Sequence, residues 1–259
     1  MPSIPVALQM YSIRHTWSDQ PAQTLKRVAD MGYDAVEFYG ADYARSAAEL
    51  RKMLDDLGLV CCGAHTDFAR FADDKIKATI EFNLTLGNRF IIVPGIPEQL
   101  RKTRDDWLKR AEQFNAWADR LKPYGCLTGY HNHNVEFTPL DGELPWDTFF
   151  GNTRNEVIMQ FDTGNALRAK AEATPFIARY PGRALSVHIK DYSAKTGEDT
   201  IAGEGDIDFD QLLPLCESVG GVQWYVIEHE NQNVDAMQAA ADCLTSFRKI
   251  QERLAAGQR

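Results

Sequence analysis

The feature that most constrains the fold is a regular alternation of short apolar segments with amphipathic segments, repeated about eight times along 259 residues. The apolar segments predict strands at 4–13, 34–40, 59–65, 90–96, 126–133, 157–164, 184–191 and 224–230. Helical spacing predicts helices at 20–29, 46–57, 74–86, 103–122, 145–150, 175–180, 209–219 and 234–254. Near-continuous apolar strands are typical of a parallel sheet that is covered on both faces.

This alternation predicts an α/β protein with the (β/α)₈ TIM barrel fold, as a single domain over residues 1–259. The main rival is a doubly wound open sheet, which usually carries a glycine-rich phosphate-binding fingerprint after its first strand. No such fingerprint follows the segment 4–13, and no linker rich in Pro, Gly or Ser divides the chain. The barrel is therefore the simpler interpretation.

Composition and charge restrict the partners and the compartment. The formal net charge of −9 argues against binding to nucleic acid or to an anionic membrane, because either needs a basic face. No segment approaches the ~20 apolar residues of a membrane span, and MPSIPVALQMYSIR lacks the basic region of a signal peptide. The five cysteines form no CxxC pair, which is typical of a reducing compartment. These features predict a cytoplasmic protein that binds neither nucleic acid nor membrane.

Ionisable residues concentrate at the ends of the predicted strands, which is where a barrel of this kind builds its active site. They are Glu37, His65, His131, His133, Asp162, His188, Lys190, Glu228, His229 and Glu230, with Glu136 shortly after the fifth strand. Crowded carboxylates and neutral imidazoles repel one another or lack partners unless a divalent cation joins them. The sequence therefore predicts a metal site for Mn²⁺, Mg²⁺, Co²⁺ or Zn²⁺. The absence of thiolates at these strand ends argues against a structural zinc site.

Eight short motifs follow one another along the chain. Seven lie at predicted strands, namely ALQMYSIR, GYDAVEF, GAHTDF, YHNHNVEF, QFDTGNA, SVHIKD and VIEHE, and GEGDIDF lies in the loop after the seventh strand. Each motif is weak alone, but their order and spacing are specific and cover essentially the whole chain. In this respect the chain resembles the sugar phosphate isomerase/epimerase superfamily, the xylose isomerase-like TIM barrels. The resemblance implies an enzyme that acts on a small-molecule sugar. Relatives are often dimers or tetramers, which makes a homo-oligomer compatible with the resemblance.

The resemblance also implies a set of four metal ligands. In that family they are an acidic residue on the fifth strand, an Asp on the sixth, a His on the seventh and a Glu on the eighth. Asp162, His188 and Glu228 match the last three positions. We expect Mn²⁺ as the favoured ion.

The fifth strand departs from the Glu-Asn-His of many relatives, because this chain has His131, Asn132 and His133 there. The fourth ligand is therefore either His131 in the usual place or Glu136 bending back from further along the chain. We favour Glu136, since three carboxylates and one imidazole suit an ion like Mn²⁺. His131 and His133 would then contact the substrate or carry protons.

The chemistry that the resemblance implies is proton transfer next to a carbonyl group. A divalent metal polarises the carbonyl of a hydroxy-ketone and stabilises the enediolate. In the 3-epimerase relatives the two glutamate ligands form the acid/base pair, which here would be Glu136 and Glu228. The sequence thus predicts a metal-dependent isomerase or epimerase that acts on a ketose or related keto-sugar.

Three other functions are compatible with parts of the pattern. If His131 is the ligand, one base is a histidine, and a metal-dependent lyase or dehydratase of keto-inositols or 3-keto-glycosides becomes the better fit. An endonuclease IV-like DNA repair enzyme needs a basic face, which the net charge disfavours. A non-catalytic sugar-binding barrel would not need the metal ligands.

Three further residues are predicted to bind the substrate. Lys190 lies on the same side of its strand as His188 and either meets a substrate oxygen or pairs with a barrel carboxylate. Glu37 either hydrogen-bonds the substrate or supports a histidine. His65 is expected to line the pocket.

The segment GEGDIDF (203–209) forms a glycine-rich turn before a helix. Such turns can bind phosphate, but Glu204 and Asp206 would repel it. We therefore expect a substrate without a phosphate group.

Overall fold

The computed structural model describes residues 3–257 and confirms the predicted (β/α)₈ barrel as a single domain. Its strands are β1 (Val6–Gln9), β2 (Ala35–Phe38), β3 (Val60–His65), β4 (Phe90–Val93), β5 (Leu127–His131), β6 (Ile158–Asp162), β7 (Ser186–Ile189), β8 (Asp191–Ser193), β9 (Glu198–Thr200) and β10 (Trp224–Ile227). Eight of them close a barrel in the order β1-β10-β7-β6-β5-β4-β3-β2, and every neighbouring pair is parallel. Strands β8 and β9 form a separate antiparallel hairpin.

Helices surround the barrel and connect successive strands. They are α1 (Arg14–Asp19), α2 (Pro21–Met31), α3 (Ala47–Leu57), α4 (Ile76–Leu86), α5 (Arg104–Leu121), α6 (Pro145–Phe150), α7 (Thr163–Arg168), α8 (Ala173–Arg179), α9 (Phe209–Leu215) and α10 (Ala236–Gly257). Short 3₁₀ turns lie at Met10–Ile13, Gly40–Ala44, Phe68–Phe71, Glu98–Leu100, Lys122–Tyr124 and Val135–Phe137, and a π turn at Cys216–Gly220. Within residues 3–257, no helix has the length and apolar character needed to cross a membrane.

Helix α3 shows how local sequence sets the helix boundaries. The Ser46 hydroxyl accepts a hydrogen bond from the Glu49 N–H at 3.3 Å, which satisfies one of the free donors of the first turn. Leu50 and Leu54 lie on one face and are fully buried. Gly58 follows in the left-handed region with φ of 69°, where a glycine ends a helix without strain.

All eight predicted strands extend beyond the observed ones, and two of them show the physical reason. The segment 4–13 leaves the sheet after Gln9, because the Gln9 side-chain oxygen accepts the Tyr11 N–H at 3.1 Å and starts a 3₁₀ turn. The segment 157–164 leaves it after Asp162, whose carboxylate caps α7 by accepting the Asn165 N–H at 2.6 Å. Most residues after these strand ends are buried, although Tyr11 is 38% exposed, so hydrophobicity alone did not mark the end of the strand.

The barrel interior has an apolar layer below a polar one. Successive residues of a strand point to opposite faces, so Ala7 and Gln9 share the inner face of β1, as Ala35 and Glu37 do on β2. Small side chains such as Ala7, Ala35 and Val226 form a buried apolar cluster. One step further toward the strand ends, the inner face becomes polar, which places the ionisable residues in one layer.

Candidate metal centre

Four side chains meet inside the polar layer of the barrel. They are His131 at the end of β5, Asp162 at the end of β6, His188 on β7 and Glu228 just after β10. One possible ligand atom from each lies within 4.8 Å of the others, and all four residues are buried. A second group, formed by His65 with His131 and His188, satisfies the same distance. Only the four-residue group adds anionic oxygens, which a divalent cation needs for charge balance.

Asp162 carries the clearest sign that the group is built for a cation. Its Oδ1 atom accepts the Asn165 N–H at 2.6 Å, whereas its buried Oδ2 atom has no hydrogen-bond partner among residues 3–257. Oδ2 lies 3.8 Å from His131 Nε2 and 3.9 Å from His188 Nδ1. A buried carboxylate oxygen without a partner is costly, and burial raises the pKa of Asp162 to about 7. A cation between these atoms would remove that cost, so the residues present fit a divalent metal.

His188 is held between two carboxylates. Its Nδ1 atom lies 2.6 Å from Glu228 Oε2, and its Nε2 atom lies 2.6 Å from Glu37 Oε2. Burial disfavours the charged ring, but the charges and hydrogen bonds of Glu37 and Glu228 outweigh it and raise the pKa of His188 to about 10. Without a metal, the ring therefore carries a proton that a cation would displace.

His131 lies in a different environment from His188. Its Nδ1 atom lies 3.2 Å from Gln160 Oε1, which leaves Nε2 on the side of Asp162. Burial, and then the positive charges of His188 and His65, lower the pKa of His131 well below its usual range. The ring is thus a neutral imidazole, the form that ligates metals.

Lys190 is a neighbour of this group rather than part of the cavity wall. Its Nζ atom lies 3.5 Å from Glu228 Oε1 and is hydrogen-bonded to the Glu230 carboxylate, and its side chain is only 2% exposed. Burial alone would raise the pKa of Glu228, but Lys190 and His188 outweigh it and hold that pKa well below the usual range. Of the two predicted roles for Lys190, the geometry favours pairing with carboxylates.

The structure does not bring Glu136 into the group, although the sequence favoured it as the fourth ligand. Its Oε1 atom accepts the Tyr130 hydroxyl at 2.5 Å, and its Oε2 atom accepts the His133 N–H at 2.8 Å. The residue is 1% exposed and lines a separate cavity of about 310 Å³. Because both oxygens are held by the residue's own chain segment, the geometry favours His131 in the fourth position.

Two buried glutamines complete the polar layer and were missed from the sequence. Gln9 donates to Glu37 Oε2 at 2.8 Å, and Gln160 donates to Glu37 Oε1 at 2.7 Å. Both have no exposed surface, and neither does Glu37. Burial would raise the pKa of Glu37, but His65 and His188 outweigh it and lower that pKa. The available signal was a glutamine inside each of two otherwise apolar strands, ALQM and IMQF.

A cavity of about 400 Å³ opens onto the group. Its walls are formed by Tyr11, Tyr39, Gly40, Ala41, His65, Asp67, Pro94, His131, His133, Glu228 and Glu230. Four predicted site residues therefore face it, namely His65, His131, His133 and Glu228. Glu37, Glu136 and Lys190 are not among the lining residues. Three carboxylates line the cavity, and within the described chain no Lys or Arg does.

The glycine-rich loop at 203–209 is organised from inside the protein. The carboxylate of Asp191, which is 2% exposed, accepts the N–H groups of Gly203 at 2.8 Å, Gly205 at 3.0 Å and Ile207 at 3.3 Å. These are the amides that an anion would otherwise use. The N–H groups of Gly203, Gly205 and Ile207 therefore already have an acceptor within the chain.

Comparisons with known proteins agree with this fold. The family model of the xylose isomerase-like TIM barrels matches residues 25–249. An inosose dehydratase from Erwinia tasmaniensis is 25% identical over 248 residues, covering 80% of this chain and 82% of that protein. A sugar phosphate isomerase/epimerase from Parabacteroides distasonis has a similar structure, with a TM-score of 0.81, 22% identity and coverage of 96% and 94%. The IOLI protein, solved with a zinc atom bound, has a TM-score of 0.76, 13% identity and coverage of 96% and 99%.

Proposed function

Since the chain belongs to the xylose isomerase-like TIM barrel family, we propose that it is a metal-dependent lyase that eliminates water from an uncharged keto-cyclitol or keto-sugar. The proposal replaces the isomerase or epimerase that the sequence favoured. It is supported by the similarity to an inosose dehydratase over most of both chains.

The observation that carries the proposal is the histidine in the fourth ligand position. A reversible epimerase of the type implied by the family resemblance uses two glutamate ligands as its acid/base pair. Here Glu228 has no such counterpart, because Glu136 is held by Tyr130 and by the His133 N–H. With His131 as a ligand, the second proton-transfer group beside Glu228 is the neighbouring imidazole of His133, which lines the same cavity. A pair of one carboxylate and one imidazole suits elimination, in which the proton is removed from one atom and delivered to another.

The residues that would hold the metal are His131, Asp162, His188 and Glu228. A divalent cation bound there supplies Lewis-acid chemistry that polarises a ketone carbonyl. Two imidazole nitrogens and two carboxylate oxygens suit Zn²⁺, Co²⁺ or Mn²⁺, and the zinc of the IOLI protein supports the first of these. Metal analysis after expression with each ion, followed by chelation and reloading, tests this set.

The side chains around the cavity divide the proton transfers between them. Glu228 takes the proton from the carbon next to the carbonyl, and Lys190 keeps its carboxylate ionised. His133, which lines the same cavity and is exposed, gives a proton to the departing hydroxyl group. A C–H bond and a C–O bond break, a C=C bond forms and water leaves, so no oxidant or reductant is needed. His65, which lines the same cavity, orients the substrate.

The charge of the cavity supports an uncharged substrate. Asp67, Glu228 and Glu230 line it, and within residues 3–257 no lining side chain carries a permanent positive charge. A phosphate or carboxylate group on the substrate would meet like charges there, which costs free energy. Tyr11 and Tyr39, whose rings meet edge-to-face at 5.3 Å, offer apolar surface for the C–H face of a sugar ring.

The decisive experiment is a substrate panel in D₂O that includes an inosose, a 3-keto-glycoside, a ketose and a ketose phosphate. A lyase gives an unsaturated ketone, which absorbs in the ultraviolet. His133→Asn should lower kcat by about 10²-fold or more, whereas His15→Asn, an exposed histidine outside the cavity wall, serves as the matched control.

Deuterium in recovered ketone without any unsaturated product would identify an isomerase or epimerase instead. A preference for the phosphorylated ketose would contradict the assignment of an uncharged substrate. Absence of any bound metal, together with a melting temperature that no divalent ion changes, would favour a sugar-binding barrel without catalysis.

A further inference from the structure

The Glu37 carboxylate accepts hydrogen bonds from three sides. Gln9 Nε2 and His188 Nε2 donate to Oε2 at 2.8 and 2.6 Å, and Gln160 Nε2 donates to Oε1 at 2.7 Å. An ionised carboxylate can only accept. Each neighbour of the Glu37 carboxylate must therefore present a donor to it. For His188 that donor is Nε2, so this ring nitrogen carries a proton.

Gln160 carries this constraint to two more histidines. Because its NH₂ group faces Glu37 and the Ser186 hydroxyl, its carbonyl oxygen faces the other way. That oxygen lies 2.7 Å from His65 Nε2 and 3.2 Å from His131 Nδ1. Both ring nitrogens must donate to it, since an amide oxygen accepts.

We infer that Glu37 is a positioning residue which, directly and through Gln160, dictates which ring nitrogen of His188 and of His131 is free to ligate the metal. The two rings use opposite atoms: His188 presents Nδ1 and keeps its proton on Nε2, and His131 presents Nε2 and keeps its proton on Nδ1. The inference rests on the metal site of the proposed function but not on the reaction.

The position of Glu37 is itself fixed by the backbone around it. The register between β2 and β3 shifts at Val36 and Glu37, which places Gly63 opposite Glu37. A Cβ atom at Gly63 would lie 3.2 Å from Cδ and 3.3 Å from Cγ of Glu37, besides colliding with Oε1. Only a glycine leaves space for the carboxylate to lie across the barrel toward β6 and β7.

The first test reads the ring protons without any metal. Histidine labelled with ¹⁵N in the metal-free protein distinguishes the two neutral tautomers by the shifts of the ring nitrogens. At neutral pH, His131 should carry its proton on Nδ1 and His65 on Nε2. The reverse tautomer at His131 would overturn the inference, whatever the protein does with metals or substrates.

The second test measures metal affinity by competition with a chelating dye. Glu37→Gln presents an NH₂ group either to His188 or to Gln160, so at least one donor loses its acceptor. The affinity for Zn²⁺ should fall about 10- to 100-fold, as for other residues that orient metal ligands. Gln160→Met should alter the ring shifts of His131 and His65 but leave those of zinc-bound His188 unchanged.

Ser186→Ala is the matched control. Ser186 is equally buried and belongs to the same network, but it only accepts from Gln160, which keeps its bond to Glu37. Its zinc affinity should stay within about threefold of the parent, and circular dichroism with a thermal scan confirms that each variant folds. Wild-type zinc affinity in folded Glu37→Gln would overturn the inference, whereas an inactive enzyme with the expected tautomers would overturn only the proposed reaction.

Discussion

Asp162→Asn separates the metal site from the stability of the barrel. The substitution keeps the shape of the side chain and the acceptor for the Asn165 N–H at 2.6 Å. It replaces the unpartnered Oδ2 by an NH₂ group at the point where a cation would sit. We expect Zn²⁺ affinity to fall by at least about 100-fold, more than for loss of a residue that merely orients a ligand.

The same variant should stabilise the metal-free protein, and the size of the effect follows from the pKa of Asp162. Burial raises that pKa from 3.8 to about 7. At about 1.4 kcal/mol per pKa unit, ionising this buried group costs the fold about 4 kcal/mol above pH 7. Because the folded state holds its proton more tightly than the unfolded state, the cost is absent below about pH 4 and grows as the pH rises to 7.

The assay is thermal or urea unfolding in chelator from pH 4.5 to 8.5. Asp162→Asn should gain stability over the parent as the pH rises, by several degrees in melting temperature at pH 8, and lose that advantage near pH 4.5. Adding zinc should stabilise the parent by about 3 kcal/mol at a hundred times its Kd but leave the variant unchanged. A variant that is less stable than the metal-free parent at pH 8, or that binds zinc normally, would refute the reasoning.

Three further substitutions test other parts of the structure. Glu136→Gln should leave zinc affinity within about threefold of the parent, whereas His131→Gln should lower it at least about 100-fold; the opposite ranking in a competition assay would restore Glu136 as the ligand. Arg183→Met should cost about 3–5 kcal/mol in urea unfolding, because this 3% exposed guanidinium donates to backbone carbonyls and a threonine hydroxyl that would lose their donor. Gly129→Ala should cost about 1–3 kcal/mol, since its Cβ would lie 2.6 Å from both Cβ and the carbonyl oxygen of Ile158; an unchanged urea midpoint would show that β5 and β6 can move apart.

Much of the fold could be predicted from the sequence, because hydrophobic periodicity indicates which faces of the helices and strands are buried. All eight barrel strands and the eight predicted helices have counterparts in the structure. Helices α1 and α7 were not predicted, because each begins at or directly after a segment that the sequence predicts to be a strand. The start of α7 depends on the Asp162 side chain, which caps the helix at the end of β6. The hairpin of β8 and β9 was not predicted either, because strands of three residues are too short to show a hydrophobic periodicity.

The residue types of the site could be predicted from the sequence, but the contacts between these residues could not. Strand-end position was enough to nominate Asp162, His188 and Glu228, which the structure brings within ligand distance of one another. Sequence spacing did not reveal that Glu136 turns back onto Tyr130, since that depends on a single 3₁₀ turn. Nor did it reveal that Glu37 contacts a strand on the far side of the barrel. Contacts across a closed barrel have no counterpart in local spacing.

The contacts of the buried Asp191 carboxylate bear on whether the loop at 203–209 can bind a phosphate group. It sits where the loops after the late strands of other TIM barrels bind phosphate, and it holds the amides of Gly203, Gly205 and Ile207 as a phosphate would. The Asp191 carboxylate thus takes the place of a bound anion, and it holds the loop at 203–209 in its conformation without a ligand. Shortening the Asp191 side chain would free these three N–H groups, but Glu204 and Asp206 in the same loop would still repel an anion. A phosphate site at this loop would therefore require several substitutions together.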